Sequence, residues 1–183
     1  VPNILSVLRI LLIIPFVFFF LSKNYIAAAA MVIISGLSDM FDGMIARKFN
    51  QITALGKILD PIADKLLVSV CLLVLTTHGT IGGFSLWAAV IILMREIFVS
   101  GLREFLAELK VSVPVTRLAK WKTTLQLIAI GILLLGPTGN EYIPGISYVG
   151  LAMLWTAALV TLYTGYDYFR TGVVFLMEES HDG

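Results

Sequence analysis

Four aspartates, Asp39, Asp42, Asp60 and Asp64, lie close together in a chain that is otherwise mostly apolar. Clustered carboxylates of this kind are hard oxygen donors that suit a divalent cation. Left without one, they would raise one another's pKa and take up protons. Two divalent ions balance four carboxylates, and a pair of such ions is a common clamp for displacement at phosphorus. The four residues are therefore read as a metal site for two ions, Mg²⁺ or Mn²⁺.

Their spacing supports convergence. At about 100° per residue, Asp39, Asp42, Gly43 and Ala46 fall in one stripe of a helix. Gly56, Asp60 and Asp64 are each four apart and form a second stripe. The two segments are expected as consecutive antiparallel helices, so the stripes can face each other. Gly43, Ala46 and Gly56 leave room beside the acids for a bulky ligand or a close helix contact. Arg47 adds a fixed positive charge at the same mouth, suited to a phosphate. Pro61, between the last two acids, is either a kink that re-aims Asp60 relative to Asp64 or an early-helix proline at a bend.

The elements that position these residues are read as membrane spans. The 183-residue chain is 58% hydrophobic and 14% charged, against about a quarter charged in soluble domains. Its apolar residues come in long runs, which implies an all-α, polytopic membrane protein with a single domain over residues 1–183. Six spans are predicted: Asn3–Leu21, Tyr25–Lys48, Leu55–Thr77, Phe84–Leu109, Thr116–Leu135 and Ile146–Tyr168. Polar or breaker clusters end them, among them Ser22-Lys23-Asn24 and Gly136-Pro137-Thr138-Gly139-Asn140. The sequence begins at Val1 rather than methionine, so preceding residues are expected. The run Leu11–Leu21 after Arg9 mimics a signal peptide, but it is long and followed by a poor cleavage site, and it is read as the first span.

Charge sets the orientation. Arg47, Lys48, Lys57, Arg103, Lys110, Arg117, Lys120, Lys122 and Arg170 fall on one side, and only Lys23 on the other. The basic side, with both termini and the acids, is then cytoplasmic in a cell membrane. A net charge of +1 gives no argument for nucleic acid. Cys71 reads as a small core residue. Trp87 and Trp121 read as interface anchors, Tyr163, Tyr166 and Tyr168 as an interfacial belt, and Phe18-Phe19-Phe20 as lipid-facing. His78 and His181 lie away from the acids and are given no chemistry.

A second constellation follows. Arg95 lies well inside an apolar span, which is expensive without a partner. Glu96, Ser100 and Arg103 share a face with spacings of four and three, and Arg117, Lys120 and Lys122 follow in the next segment. A cationic pocket of Arg95, Arg103, Lys120 and Lys122 beside the metals would suit a small, soluble, anionic acceptor. The bland alternatives are lipid-headgroup contacts for Arg117, Lys120 and Lys122, and internal pairing of Arg95 and Arg103 with Glu96 or Glu104.

The string Asp-x2-Asp-Gly-x2-Ala-Arg-x8-Gly-x3-Asp-x3-Asp, from Asp39 to Asp64, is similar to the signature of the CDP-alcohol phosphotransferase family at every defined position. The six-span layout resembles that family over nearly the whole chain. The resemblance implies a cytoplasm-facing di-metal enzyme that displaces CMP from a CDP-linked lipid. Asp39, Asp42 and Asp60 would hold one metal, Asp39, Asp60 and Asp64 the other, and Asp64 would also take the proton of the attacking hydroxyl. Gly43, Arg47 and Thr53 match positions that contact the CDP-lipid, with Ala46 and Gly56 beside them. Pro2–Arg9 resembles the family's opening segment, which makes Asn3 and Ser6 cytidine or phosphate contacts, with helix N-capping as the alternative. The run Arg95–Glu108, with Lys120-Trp121-Lys122-Thr123-Thr124, resembles a branch that joins CDP-diacylglycerol to sn-glycerol 3-phosphate. Arg117 departs from that branch, where an uncharged residue is expected. The family also implies a homodimer. Two rivals stay open at this point: another acceptor (inositol phosphate, serine or phosphatidylglycerol), and a divalent-cation or proton-coupled transporter.

Overall fold

The structure is a computed structural model that describes residues 2–36, 54–109 and 117–179, with side chains over 6–36, 59–107, 109 and 121–170. Within these residues it is helical and has no strand. Helix α1 spans Pro2–Leu21 and α2 is described over Tyr25–Gly36. Helix α3 spans Ala54–Thr77, and a 3₁₀ turn at Gly83–Ser85 leads into α4, Leu86–Glu108. Helices α5, Arg117–Tyr142, and α6, Ile146–Glu179, complete the described residues. Helix α6 packs along α5 and α4, and α1 packs along α3.

Among the described residues, three segments are long and apolar enough to cross a membrane: Gly83–Ala107, Trp121–Tyr142 and Ile146–Arg170. They correspond to the last three predicted spans. Helix α3 is also long, but its first turns carry Lys57, Asp60, Asp64 and Lys65 before the apolar run begins. The interior combines Phe16, Leu72, Leu75, Ile92, Leu133 and Leu154 with paired alanines: Ala28-Ala29 on α2, Ala88-Ala89 on α4 and Ala157-Ala158 on α6. Small residues let helix backbones approach where the surroundings are as apolar as the side chains. Ile14, Phe18, Met94, Ile97 and Leu159 point outward, the arrangement a lipid environment rewards. Cys71 is fully buried, as expected of a small core residue, and Trp87 and Trp121 are exposed.

Two aromatic expectations are corrected. Phe18 faces outward, but Phe20 is buried because it packs edge-on against Tyr25 and His78. Tyr163 and Tyr166 are exposed, whereas Tyr168 is only 4% exposed. A helix turns about 100° per residue, so three tyrosines at spacings of three and two cannot share one face.

The end of the bundle opposite Asp60 is closed by local chemistry. Lys23 adopts φ 60, and the N–H groups of Lys23 and Asn24 bond the carbonyls of Phe20 and Phe19, each at 2.9 Å. This is the Schellman ending of a helix, here closed by a lysine. Asn24 then caps α2, its side-chain oxygen accepting the Ala27 N–H at 3.2 Å. The His78 imidazole lies 3.0 Å from the Tyr25 hydroxyl through Nε2 and 3.0 Å from the Thr80 hydroxyl through Nδ1. The α1–α2 turn is thereby fastened to the end of α3.

The fifth predicted span stops too early. Gly136-Pro137-Thr138-Gly139-Asn140 reads as a breaker, yet α5 continues through it to Tyr142. Packing on α6 overrides local propensity. A Cβ on Gly136 would lie 2.6 Å from Ser147 Oγ, and one on Gly139 would lie 3.2 Å from Ile146. The glycines are thus points of close approach. Asn140 donates to Ser147 Oγ at 2.7 Å and accepts the Ser147 N–H at 3.3 Å. Pro137 removes one helical N–H, a loss that membrane-type helices tolerate when a neighbour packs against them. Helix α6 continues beyond the predicted span Ile146–Tyr168 to Glu179, in keeping with the apolar run Val173–Met177.

Candidate active site

Helix α3 presents Asp60 and Asp64 one turn apart on one face, Asp60 exposed and Asp64 half-buried. Pro61 lies between them and seven residues past the helix start at Ala54. It is an interior proline, not an early-helix one, and the carbonyl of Lys57 lacks its usual donor there. Helix α1 reaches the same point. The Ser6 hydroxyl donates to Asp60 Oδ1, and Ser6 and Arg9 are buried at 1% and 3% exposure. Because α1 already includes Pro2 and Asn3, neither Asn3 nor Ser6 is its N-cap. Ser6 instead ties the first helix to the acidic one.

A second polar cluster joins the remaining helices. On α4, Arg95 Nη1 approaches Glu96 Oε1 at 3.4 Å. The same Glu96 oxygen accepts from Lys122 Nζ on α5. Arg95 Nη2 donates to Thr164 Oγ1 on α6 at 3.2 Å. The side chains of Arg95, Glu96 and Lys122 are 10%, 17% and 5% exposed. Two cations therefore share one carboxylate, leaving a net positive charge in a largely dehydrated place. Lys122 also lies within electrostatic reach of Asp64, which puts the basic cluster beside the acidic face. Lys65, next to Asp64, donates to Ser100 of α4.

Not every predicted residue can be placed. Asp39, Asp42, Gly43, Ala46, Arg47 and Thr53 lie outside the described residues, and the first of the two predicted stripes lies there with them. Gly56 is in the first turn of α3, and Asn3 and Lys120 are placed as backbone in α1 and α5. Arg103 is exposed, two turns beyond Arg95 on α4 and within its electrostatic reach. Among the described residues no three His, Cys, Asp or Glu side chains form a metal cluster. The described pair, Asp60 and Asp64, fits a hard divalent cation in donor chemistry: anionic oxygens one turn apart, one of them accessible.

A family model described as CDP-alcohol phosphatidyltransferase matches residues 1–163. The chain belongs to this family. Among curated relatives of the chain, a Rickettsia typhi protein is 45% identical, covering 92% of this chain and 94% of the relative. A Cereibacter sphaeroides protein is 36% identical over 98% of each chain. A protein of Shigella flexneri serotype 5b is 37% identical, again over 98% of each. All three carry the name CDP-diacylglycerol–glycerol-3-phosphate 3-phosphatidyltransferase.

Sequence reasoning missed several polar residues of this family member. Arg9, Gln126, Thr161 and Thr164 are all buried, and of these the sequence reading places only Arg9, in the opening segment. A usable signal was present on α6. Thr161, Thr164, Gly165 and Tyr168 stand at i, i+3, i+4 and i+7 in an apolar run, which is one face of a helix. Taking Tyr168 as interfacial hid that stripe.

Proposed function

We propose that this protein transfers the phosphatidyl group of CDP-diacylglycerol to sn-glycerol 3-phosphate, giving phosphatidylglycerol phosphate and CMP in phospholipid biosynthesis. The observation that carries the reading is the adjacency of two unlike clusters: the acidic face of α3 and the buried cations Arg95 and Lys122. A donor with a diphosphate and a soluble acceptor with its own phosphate need both. The family and the shared name of the relatives support the same substrates.

Asp64, half-buried beside Lys122, takes the proton from the primary hydroxyl of glycerol 3-phosphate. The freed oxygen attacks the phosphorus that bears diacylglycerol; the new P–O bond forms as the bond to CMP breaks. Ser6 holds the Asp60 carboxylate in place. Arg95, Arg103, Lys120 and Lys122 receive the acceptor's phosphate, and Asn3, Ser6, Gly43, Ala46, Arg47, Thr53 and Gly56 line the CDP-lipid side. Asp39, Asp42, Asp60 and Asp64 would hold two divalent ions, Mg²⁺ or Mn²⁺, which when bound supply charge neutralisation for the diphosphate. Positioning and fixed charge carry most of the rate. The reading includes six spans, a homodimer, and a site and both termini on the cytoplasmic side of the cell membrane.

The test is CMP release by purified protein given CDP-diacylglycerol and a panel of acceptors, with Mg²⁺, with Mn²⁺ and after chelation. Release that requires both glycerol 3-phosphate and a divalent ion is expected. Faster release with inositol phosphate, serine or phosphatidylglycerol would replace the acceptor. Metal-dependent uptake into vesicles without CMP release would replace the reaction itself.

A further inference from the structure

We propose that Thr164 and Gly165 of α6 are positioning residues that aim the Arg95 guanidinium at the acceptor's phosphate, a proposal that rests on the transferase reading above. Arg95 emerges from α4, but its direction is set by α6. The Thr164 hydroxyl lies 3.0 Å from the carbonyl of Val160 and 3.1 Å from that of Thr161. Its single proton is used toward its own helix, so toward Arg95 it is an acceptor. It receives Arg95 Nη2 at 3.2 Å, while Glu96 receives Nη1 at 3.4 Å. The guanidinium is thus held at both terminal nitrogens by groups on two different helices.

Gly165 supplies the space for the stem. A Cβ at this position would lie 3.0 Å from Arg95 Cγ, 3.6 Å from Nε and 3.9 Å from Cδ. Any larger residue would press the stem aside at the point where it crosses α6. Thr164 is 2% exposed, so no water replaces its oxygen at low cost. Arg95 Nε is buried without a hydrogen-bond partner among the described residues. With the two terminal nitrogens each partly used, Nε–H and one hydrogen on each Nη remain for an incoming anion. A planar fork held in one orientation binds phosphate with less loss of side-chain freedom than a loose one.

The test is steady-state CMP release with each substrate varied, for wild type, Thr164→Val, Thr164→Ser and Gly165→Ala. Thr164→Val keeps the shape and removes the acceptor. We expect it to raise KM for glycerol 3-phosphate about 3- to 10-fold, the range set by re-ordering one long side chain, with KM for CDP-diacylglycerol unchanged. Thr164→Ser restores the low KM, and Gly165→Ala raises it for glycerol 3-phosphate alone. Unchanged KM for glycerol 3-phosphate in both Thr164→Val and Gly165→Ala overturns the proposal, as does a parallel rise for both substrates. Failure of both variants to give a monodisperse protein in detergent also overturns it, because α6 would then act in folding only. If wild type releases no CMP with glycerol 3-phosphate, the transferase reading fails first, and this outcome is separate from any variant.

Discussion

The charge arrangement around Glu96 can be tested without any substrate. Replacing Glu96 by Gln keeps the shape and hydrogen-bonding reach but leaves Arg95 and Lys122 buried as unbalanced neighbours. At an effective dielectric constant of about 20, unit charges 3.4 Å apart attract by about 5 kcal/mol before desolvation. Removing one partner of such a buried set costs about 3–5 kcal/mol, because the remaining charge stays dehydrated. For a chain of 183 residues each kcal/mol corresponds to about 2–4 °C in Tm, so Glu96→Gln should lower Tm by about 6–20 °C. Lys122→Met should cost much less, about 1 kcal/mol, because Glu96 keeps Arg95. The double variant removes the repulsion that Glu96→Gln creates, so it should recover about 2 kcal/mol of the loss. The assay is thermal unfolding of the four proteins in one detergent, analysed as a double-mutant cycle. Strict additivity, with a coupling below about 0.5 kcal/mol, would refute the shared-carboxylate arrangement.

Three further outcomes follow from the geometry. Asp64→Asn should abolish CMP release while binding of CDP-diacylglycerol, followed by calorimetry, is retained; substantial turnover would remove Asp64 as the base. Ser6→Ala deletes a hydrogen bond to a charged group, worth about 1.5–3 kcal/mol, and should lower kcat/KM for CDP-diacylglycerol by at least about tenfold, whereas a wild-type value would make the contact incidental. Gly136→Ala places a Cβ 2.6 Å from Ser147 Oγ and should destabilise the α5–α6 hairpin by about 1–3 kcal/mol, read as a lower Tm; an unchanged Tm would show that the hairpin relaxes freely.

Much of this organisation was legible in the sequence, and the reasons differ by level. Hydropathy alone located every described helix, because a membrane demands long apolar runs and only helices satisfy their own backbone within them. The acids were legible because ionised groups stand out against that background. Helix ends were less so. At Gly136–Asn140 the residues of a breaker serve contact instead, and only Ser147 and Ile146 of α6 reveal it. Partner choice was the least legible. Arg95 reads as needing a partner, with Glu96 as one candidate, but Thr164 stands 69 residues beyond Arg95, and Lys122, the second cation on Glu96, stands 26 residues beyond that carboxylate. The stripe Thr161, Thr164, Gly165 and Tyr168 marks one face of α6 but not the residue of α4 that it meets. Tyr168 was misread because its composition suits an interface and its helical phase does not.

The sharing of Glu96 has a consequence for how the protein is made. Helix α4 carries Arg95 and Glu96 in its apolar stretch, yet Lys122 and Thr164 belong to helices synthesised later. A charged residue at mid-helix costs about 2.5–3.5 kcal/mol on insertion, and α4 alone can offset this only through its own Arg95–Glu96 pair. The last three helices are then best regarded as one unit of membrane assembly, and truncations after α4 should expose that segment to quality-control proteolysis.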